Sequence, residues 1–328
     1  MLRVYLDQAK WIDLSKCRVG HHQGTKFQDV YDLASEAVSR GYASFVLSCA
    51  HYYETQSREK STSRLDLAWT MALLSKFHCI APVQVVVPAE IEHFLTGEAV
   101  TAQVNLFGVG MNHAFNTNVD LGHLDPSILG AFPPGWRAAV AEAREWVAEL
   151  FVLGSPPTPT HSDRLMLETA RTIRDGAQKF VDAQTTLSDH LRTQNLRHRL
   201  NDYAITSEIA DFIDPLMERC QRHGISMDEV FRDKETIREL LQRIPSRWVS
   251  SELRRVRLRN PQQPWTKNDL NDILALSIAV PYCDVVVTER QWSRHINHLG
   301  LAEQYGTTVL HDLTELTEVL VTASTTAS

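Results

Sequence analysis

Six carboxylates in this sequence stand beside short apolar runs, where acidic side chains are out of place unless they do chemistry. Asp7 follows RVYL directly, and Glu54 lies one to two turns beyond SFVLS. Asp269 and Asp272 open the stretch that leads into DVVVT; Asp284 begins that run and Glu289 follows it. Like charges gathered from four separate segments repel one another unless a cation neutralises them. An all-carboxylate set suits the hard ions Mg²⁺ or Mn²⁺, which activate water and stabilise in-line attack on phosphate. Each residue also has a plainer explanation. Asp7 could cap the helix beginning QAKWIDL, and Glu54 could pair with Arg58 at i+4. Asp269 and Asp272 suit the first turn of a helix. Thr288 and Gln291 have capping-box spacing, with Glu289 between them, and Asp284 could simply solvate a strand edge.

The set has chemical meaning only if the elements beneath it adjoin. RVYL (3–6), SFVLS (44–48) and DVVVT (284–288) are apolar or β-branched runs without alternation, as strands of a parallel sheet covered on both faces should be. VQVVVP (83–88) and TTVL (307–310) are weaker strand candidates. Helical spacing follows SFVL in SCAHYYETQSREK and recurs in LDLAWTMALLSKFH, NDLNDILALSIAV and HDLTELTEVL. Residues 108–118 and 154–163 read as loops, 164–258 as long helices, and RNPQQPW (259–265) as a break. Strands alternating with helices predict an α/β domain over 1–100 and 260–321, split by a mostly helical insertion over 101–259, with a disordered tail at 322–328. In parallel sheets, function gathers at the carboxyl ends of the strands, where Asp7 and Glu289 fall.

Composition limits the partners. A net charge of −7 over 328 residues argues against a protein that coats nucleic acid by charge alone. Five scattered cysteines form no CxxC pair, which points to a reducing, cytoplasmic setting. The apolar runs are too short to cross a bilayer, so no membrane association is expected.

YLDQAKWIDL resembles the opening of PIN-domain nucleases, in which a strand ends in Asp before a helix. LSCAHYYET is similar to the family's second motif. DILALSIAVPYCDVVVTERQW is similar to its third and fourth, with Asp272 seven residues before Ala279 and a strand ending in Thr before an acid. HDLTELTEVL resembles the closing helix. The resemblance spans roughly 1–95 and 265–320. It implies a three-layer α/β/α sandwich with a mostly parallel sheet, and a Mg²⁺- or Mn²⁺-dependent nuclease of the toxin or defence type that hydrolyses RNA. Asp7, Glu54 and Asp272 would be metal ligands, Asp269 would share the third role, and Glu289 would stand where relatives carry Asp, with Asp284 as a substitute. The same resemblance admits a degenerate module that binds RNA or protein without cutting.

For substrate, RIPSRWVSSELRRVRLRN (243–260) offers six arginines against one glutamate. Arg247, Arg254, Arg255, Arg257 and Arg259 beside Trp248 suit a phosphate backbone and a stacked base, and Arg290 adds charge next to Glu289. A solvated helix face fits the same residues. Single-stranded or structured RNA is expected in the absence of a groove-reading motif. Arg290-x4-His295 and Arg192-x5-His198 match the short HEPN ribonuclease pattern, one that chance supplies among 33 Lys+Arg and 14 His. His51-x-x-Glu54 and His295-x-x-His298 lack the third partner a zinc site needs. The insertion could bind an antitoxin or other inhibitor, form a homo-oligomer, or shape a substrate channel.

Overall fold

A computed structural model of the chain describes residues 1–121, 134–154, 161–260 and 262–326. The chain begins with strand β1 (Leu2–Leu6), helices α1 (Gln8–Arg18) and α2 (Gln28–Ser39), strand β2 (Ala43–Val46), and helices α3 (Cys49–Gln56) and α4 (Ser61–Ser75). Strand β3 (His78–Ile80), helices α5 (Val83–Thr96) and α6 (Val100–Gln103), strand β4 (Phe107–Val109) and helix α7 (Gly110–Phe115) follow. The central helices are α8 (Pro134–Gly154), α9 (His161–Thr193), α10 (Leu200–Ala210), α11 (Ile213–His223), α12 (Met227–Val230), α13 (Lys234–Gln242) and α14 (Pro245–Arg259). The chain closes with α15 (Lys267–Tyr282), β5 (Val285–Val287), α16 (Arg290–His298), α17 (Leu301–Tyr305), β6 (Thr308–Leu310) and α18 (Leu316–Thr326).

The protein is mostly helical, with a small four-stranded parallel sheet in the order β2-β1-β5-β6. Alternate residues of each strand enter opposite cores. Val4, Leu6, Phe45, Val285 and Val287 pack with Trp11, Leu14 and the buried face of α4, while Tyr5, Val46, Val286 and Val309 pack with α5, α14 and α15. Burial on both faces explains why these strands lack polar alternation. β1 winds on to β2 on one side and β5 to β6 on the other, so the winding reverses between β1 and β5. A cleft at the carboxyl ends of a parallel sheet forms at such a point.

Several expectations need correction. VQVVVP lies within the helix α5, with Pro88 inside it. Its run of valines is buried helix, and a short apolar run has no period that separates the two states. Residues 108–118 are not simply loop: β4 ends there and α7 occupies Gly110–Phe115. Helix α4 stops at Ser75, and HCI becomes the three-residue strand β3, antiparallel to β4. The expected loop at 154–163 lies partly outside the described residues, and helix α9 begins at His161. The tail is helical as far as Thr326.

The central helices are not a lobe apart. Leu191, Leu200, Phe212, Leu241, Trp248 and Leu253 belong to the same apolar cluster as Tyr5 and Val286 of the sheet. Among the described residues, no helix is long and apolar enough to cross a membrane.

Candidate functional site

The register of the two middle strands sets the first contact. Leu6 pairs with Val287, so the next residues, Asp7 and Thr288, stand level. The Asp7 amide donates to the Val287 carbonyl at 2.9 Å, and the Thr288 hydroxyl donates to Asp7 Oδ2 at 3.1 Å. Asp7 occupies the N-cap position of α1, yet its side chain makes no capping bond. Glu289 is likewise the N-cap of α16 without a side-chain cap bond. The Thr288 hydroxyl, required for a Thr288–Gln291 capping box, serves Asp7 instead. Capping therefore accounts for neither carboxylate.

Helix α3 is fastened to the end of β1 by His51. Its Nε2 donates to the Leu6 carbonyl at 2.8 Å, and its Nδ1 accepts the Ser48 amide at 2.8 Å. Burial pushes the imidazole down to about 4, so it stays neutral in this role. Gln8 adds a second tie, donating to Thr55 Oγ1 at 3.0 Å. Glu54 lies three residues beyond His51, on the same helix face, near enough to Asp7 for that charge to act on it. It accepts a hydrogen bond from Asn271 Nδ2 at 3.3 Å. Arg58, its expected partner, donates to Ser63 Oγ.

Helix α15 brings the third carboxylate. Thr266 and Asp269 form a capping box at its start, and Asp272 lies one turn on, accepting from Trp292 Nε1 at 2.9 Å. Burial raises Asp272 to about 8, with the negative charges of Asp7, Glu54 and Glu289 adding to the shift against the Trp292 hydrogen bond. Burial and then Asp7 raise Glu54 to about 7. Asp7 is raised chiefly by burial, opposed by Thr288, by the backbone at Gln8 and Glu289, and by Lys10. Glu289 is raised by burial and then by Asp7. Four carboxylates from four segments thus act on one another, and none has an ion-pair partner among the described residues.

They do not converge into a finished coordination shell. Among the described residues, no three acidic, histidine or cysteine side chains stand at metal-ligand spacing. Asp7 is turned to Thr288, Glu54 to Asn271 and Asp272 to Trp292, and like-charge repulsion favours that separation. The donor set itself fits a hard cation: all oxygen, partly buried, and short of positive charge.

Two predicted ligands fall elsewhere. Asp269 is saturated: it takes Arg257 Nε and Nη2 at 2.8 Å each, together with the Thr266 amide at 2.7 Å. Its capping role is the correct one. Asp284 accepts the Arg3 amide at 2.6 Å at the amino end of β5, the edge of the sheet opposite Asp7.

The predicted arginine surface is mostly interior. Arg247 pairs with Glu208 at 3.1 Å, Arg254 with Asp211 at 2.6 Å, and Arg257 with Asp269, all three guanidinium groups being at most 4% exposed. Arg255 is bound to Glu252 within its own helix, and Trp248 is buried against the core. Of the residues assigned to substrate, Arg259 and Arg290 are exposed. His51, Asn271, Thr288 and Trp292 are the supporting residues that sequence reasoning missed in these roles. The signal was present only as polar residues, or a lone Trp, beside each acidic position.

Comparison with protein-family models, with curated proteins and with solved structures finds no match to this chain.

Proposed function

We propose that this chain is a divalent-cation-dependent endoribonuclease on a PIN-like three-layer sandwich. One observation carries the reading: Asp7, Glu54, Asp272 and Glu289 interact at the carboxyl ends of β1 and β5, where the winding of the sheet reverses, with no ion-pair partner among the described residues and only the charge of Lys10 acting against Asp7 and Glu289. The apolar cores on the two faces of the parallel sheet support the sandwich. Asp7, Glu54 and Asp272 would hold Mg²⁺ or Mn²⁺, with Glu289 at the rim. When bound, such an ion lowers the pKa of water and offsets charge on the phosphate under attack.

The chain's own groups do the positioning. Thr288 orients Asp7, Asn271 orients Glu54 and Trp292 orients Asp272, each through one hydrogen bond to a carboxylate oxygen. His51 fixes the distance between the Glu54 helix and the Asp7 strand. With most arginines of 243–260 engaged internally, substrate phosphates would meet Arg290, Arg259 and the exposed Arg294. A protein inhibitor or a second copy of the chain would act by covering this edge.

Incubation of purified protein with labelled single-stranded RNA and Mg²⁺ or Mn²⁺ tests the reading. Cleavage stopped by EDTA and abolished in Asp7→Asn is the expected result. Cleavage that persists in EDTA overturns it. RNA binding without cleavage identifies a non-cutting module.

A further inference from the structure

Parallel pairing carries the carboxyl edge of the sheet one strand further. Val287 of β5 pairs with Leu310 of β6, so Thr288 and His311 stand level, and the Lys10 ammonium donates to the His311 carbonyl at 2.7 Å. At His311 the edge opens into a pocket of about 830 Å³, lined on its other side by Gln291, Arg294, His295 and His298 of α16. Glu315 also lines it, but its carboxylate accepts the amides of His311 and Asp312 at 3.3 and 3.2 Å. Acids therefore occupy the ends of β1 and β5, and basic side chains gather at the end of β6.

Helix α16 joins the two groups. Its buried Trp292 donates to Asp272, while Arg290, Arg294 and His298, at i, i+4 and i+8, are all exposed. No acidic residue lies on α16, and among the described residues neither arginine has a hydrogen-bond or ion-pair partner. Like charges four residues apart weaken a helix, and Arg290 stands at the end where the helix dipole favours anions. Local stability therefore does not account for this ridge. His295, edge-on to the Trp292 ring with centroids 6.3 Å apart, is lowered first by burial and then by the positive charges of Arg257, Arg294 and His298. Positive charge is uncompensated here, as negative charge is at the carboxylates.

We infer that one arm of the RNA substrate runs from the carboxylates along α16, with successive phosphates against Arg290, Arg294 and His298. The inference rests on the nuclease reading for what lies at the head of this track. The spacing fits: four residues of helix advance about 6 Å, close to the separation of neighbouring phosphates in an extended single strand. The two guanidinium forks suit phosphate oxygens. The pocket at His298 and His311 has the volume of a ligand site, about 300–1,000 Å³, and so takes a length of chain rather than a lone anion.

Binding of a labelled oligouridine RNA, measured by fluorescence anisotropy in EDTA over a series of NaCl concentrations, separates the track from catalysis. Each phosphate neutralised on a single strand contributes about 0.7 to the slope of log affinity against log salt. Arg290→Gln and Arg294→Gln should each lower the slope by about 0.7, and the double variant by about 1.4. None of these variants should melt below the wild-type protein. Arg40→Gln, which removes an exposed charge just before the amino end of β2, should leave the slope unchanged. No binding, slopes unchanged in both α16 variants, or an equal fall in Arg40→Gln overturns the inference. Lowered slopes in a protein that does not cut overturn the nuclease reading and leave the phosphate track standing. Cleavage by a protein whose slopes do not respond does the reverse.

Discussion

Replacing Asp272 by Asn removes one negative charge from the cluster and keeps both the side-chain shape and an acceptor for Trp292 Nε1. In the folded protein Asp272 is raised to about 8 from an ordinary 3.8, by burial first and then by Asp7, Glu54 and Glu289. A raised carboxyl favours the protonated native state. Its contribution to stability is full below the unfolded pKa and is lost as pH climbs toward 8. At about 1.4 kcal/mol per unit, the ceiling is about 6 kcal/mol. Asp7 and Glu54 respond to the same charges, so the part that belongs to Asp272 alone is smaller than this ceiling, on the order of 3 kcal/mol. The unfolding entropy of a chain this size turns 3 kcal/mol into about 4 °C of melting temperature. In EDTA at pH 9, Asp272→Asn should melt about 4 °C above the wild-type protein, and the gap should close as pH falls from 8 toward 4. With millimolar Mn²⁺ the order should reverse, because the wild-type cluster gains a ligand that the variant binds poorly. Thermal unfolding followed by circular dichroism at several pH values reads both effects. A variant no more stable than wild type at pH 9 in EDTA would refute the claim that Asp272 carries an uncompensated charge.

Three further outcomes follow from buried groups. Glu149, raised by burial to about 7 against hydrogen bonds from the Met111 amide and Tyr52, should cost stability as pH rises from 4.5 to 7, with a ceiling of about 3 kcal/mol; Glu149→Gln should flatten that slope in denaturant titrations. Arg257→Ala strands Asp269 as a buried charge and should cost about 3–5 kcal/mol in urea unfolding, whereas Arg259→Ala, at an exposed position, should stay within about 0.5 kcal/mol of wild type. His51→Ala leaves the Leu6 carbonyl and the Ser48 amide unpaired and opens a void, at about 2–4 kcal/mol, so an unchanged melting temperature would dismiss its tie between α3 and β1.

What the sequence revealed and what it hid divide along one physical line. Asp7, Glu54, Asp272 and Glu289 were legible because each follows an apolar run or opens a helix, and local pattern places such residues at a sheet edge. Asp269 and Asp284 share that local pattern, and what sets them apart is tertiary: an arginine twelve residues back in one case, the opposite sheet edge in the other. The arginines of 243–260 misled for the same reason. Their partners Glu208 and Asp211 lie some forty residues upstream, on a helix whose approach to α14 no spacing rule predicts. The valines of 83–88 failed at a shorter range, since burial on all sides erases the period that separates strand from helix.

The middle of the sheet joins the two ends of the chain: Leu6 pairs with Val287, and Asp7 is held by Thr288, 281 residues away. A ribosome adding about 5–20 residues per second needs on the order of 15–60 s to pass from one to the other. Throughout that interval β1 has no β5 to pair with, Asp7 has no Thr288, and the carboxylates that define the centre are still apart. Contacts of such long sequence separation also form slowly, because loop closure precedes their reward. Assembly of the carboxylate cluster is thus deferred until the residues near Thr288 have been synthesised, and no shorter nascent chain holds its four groups together.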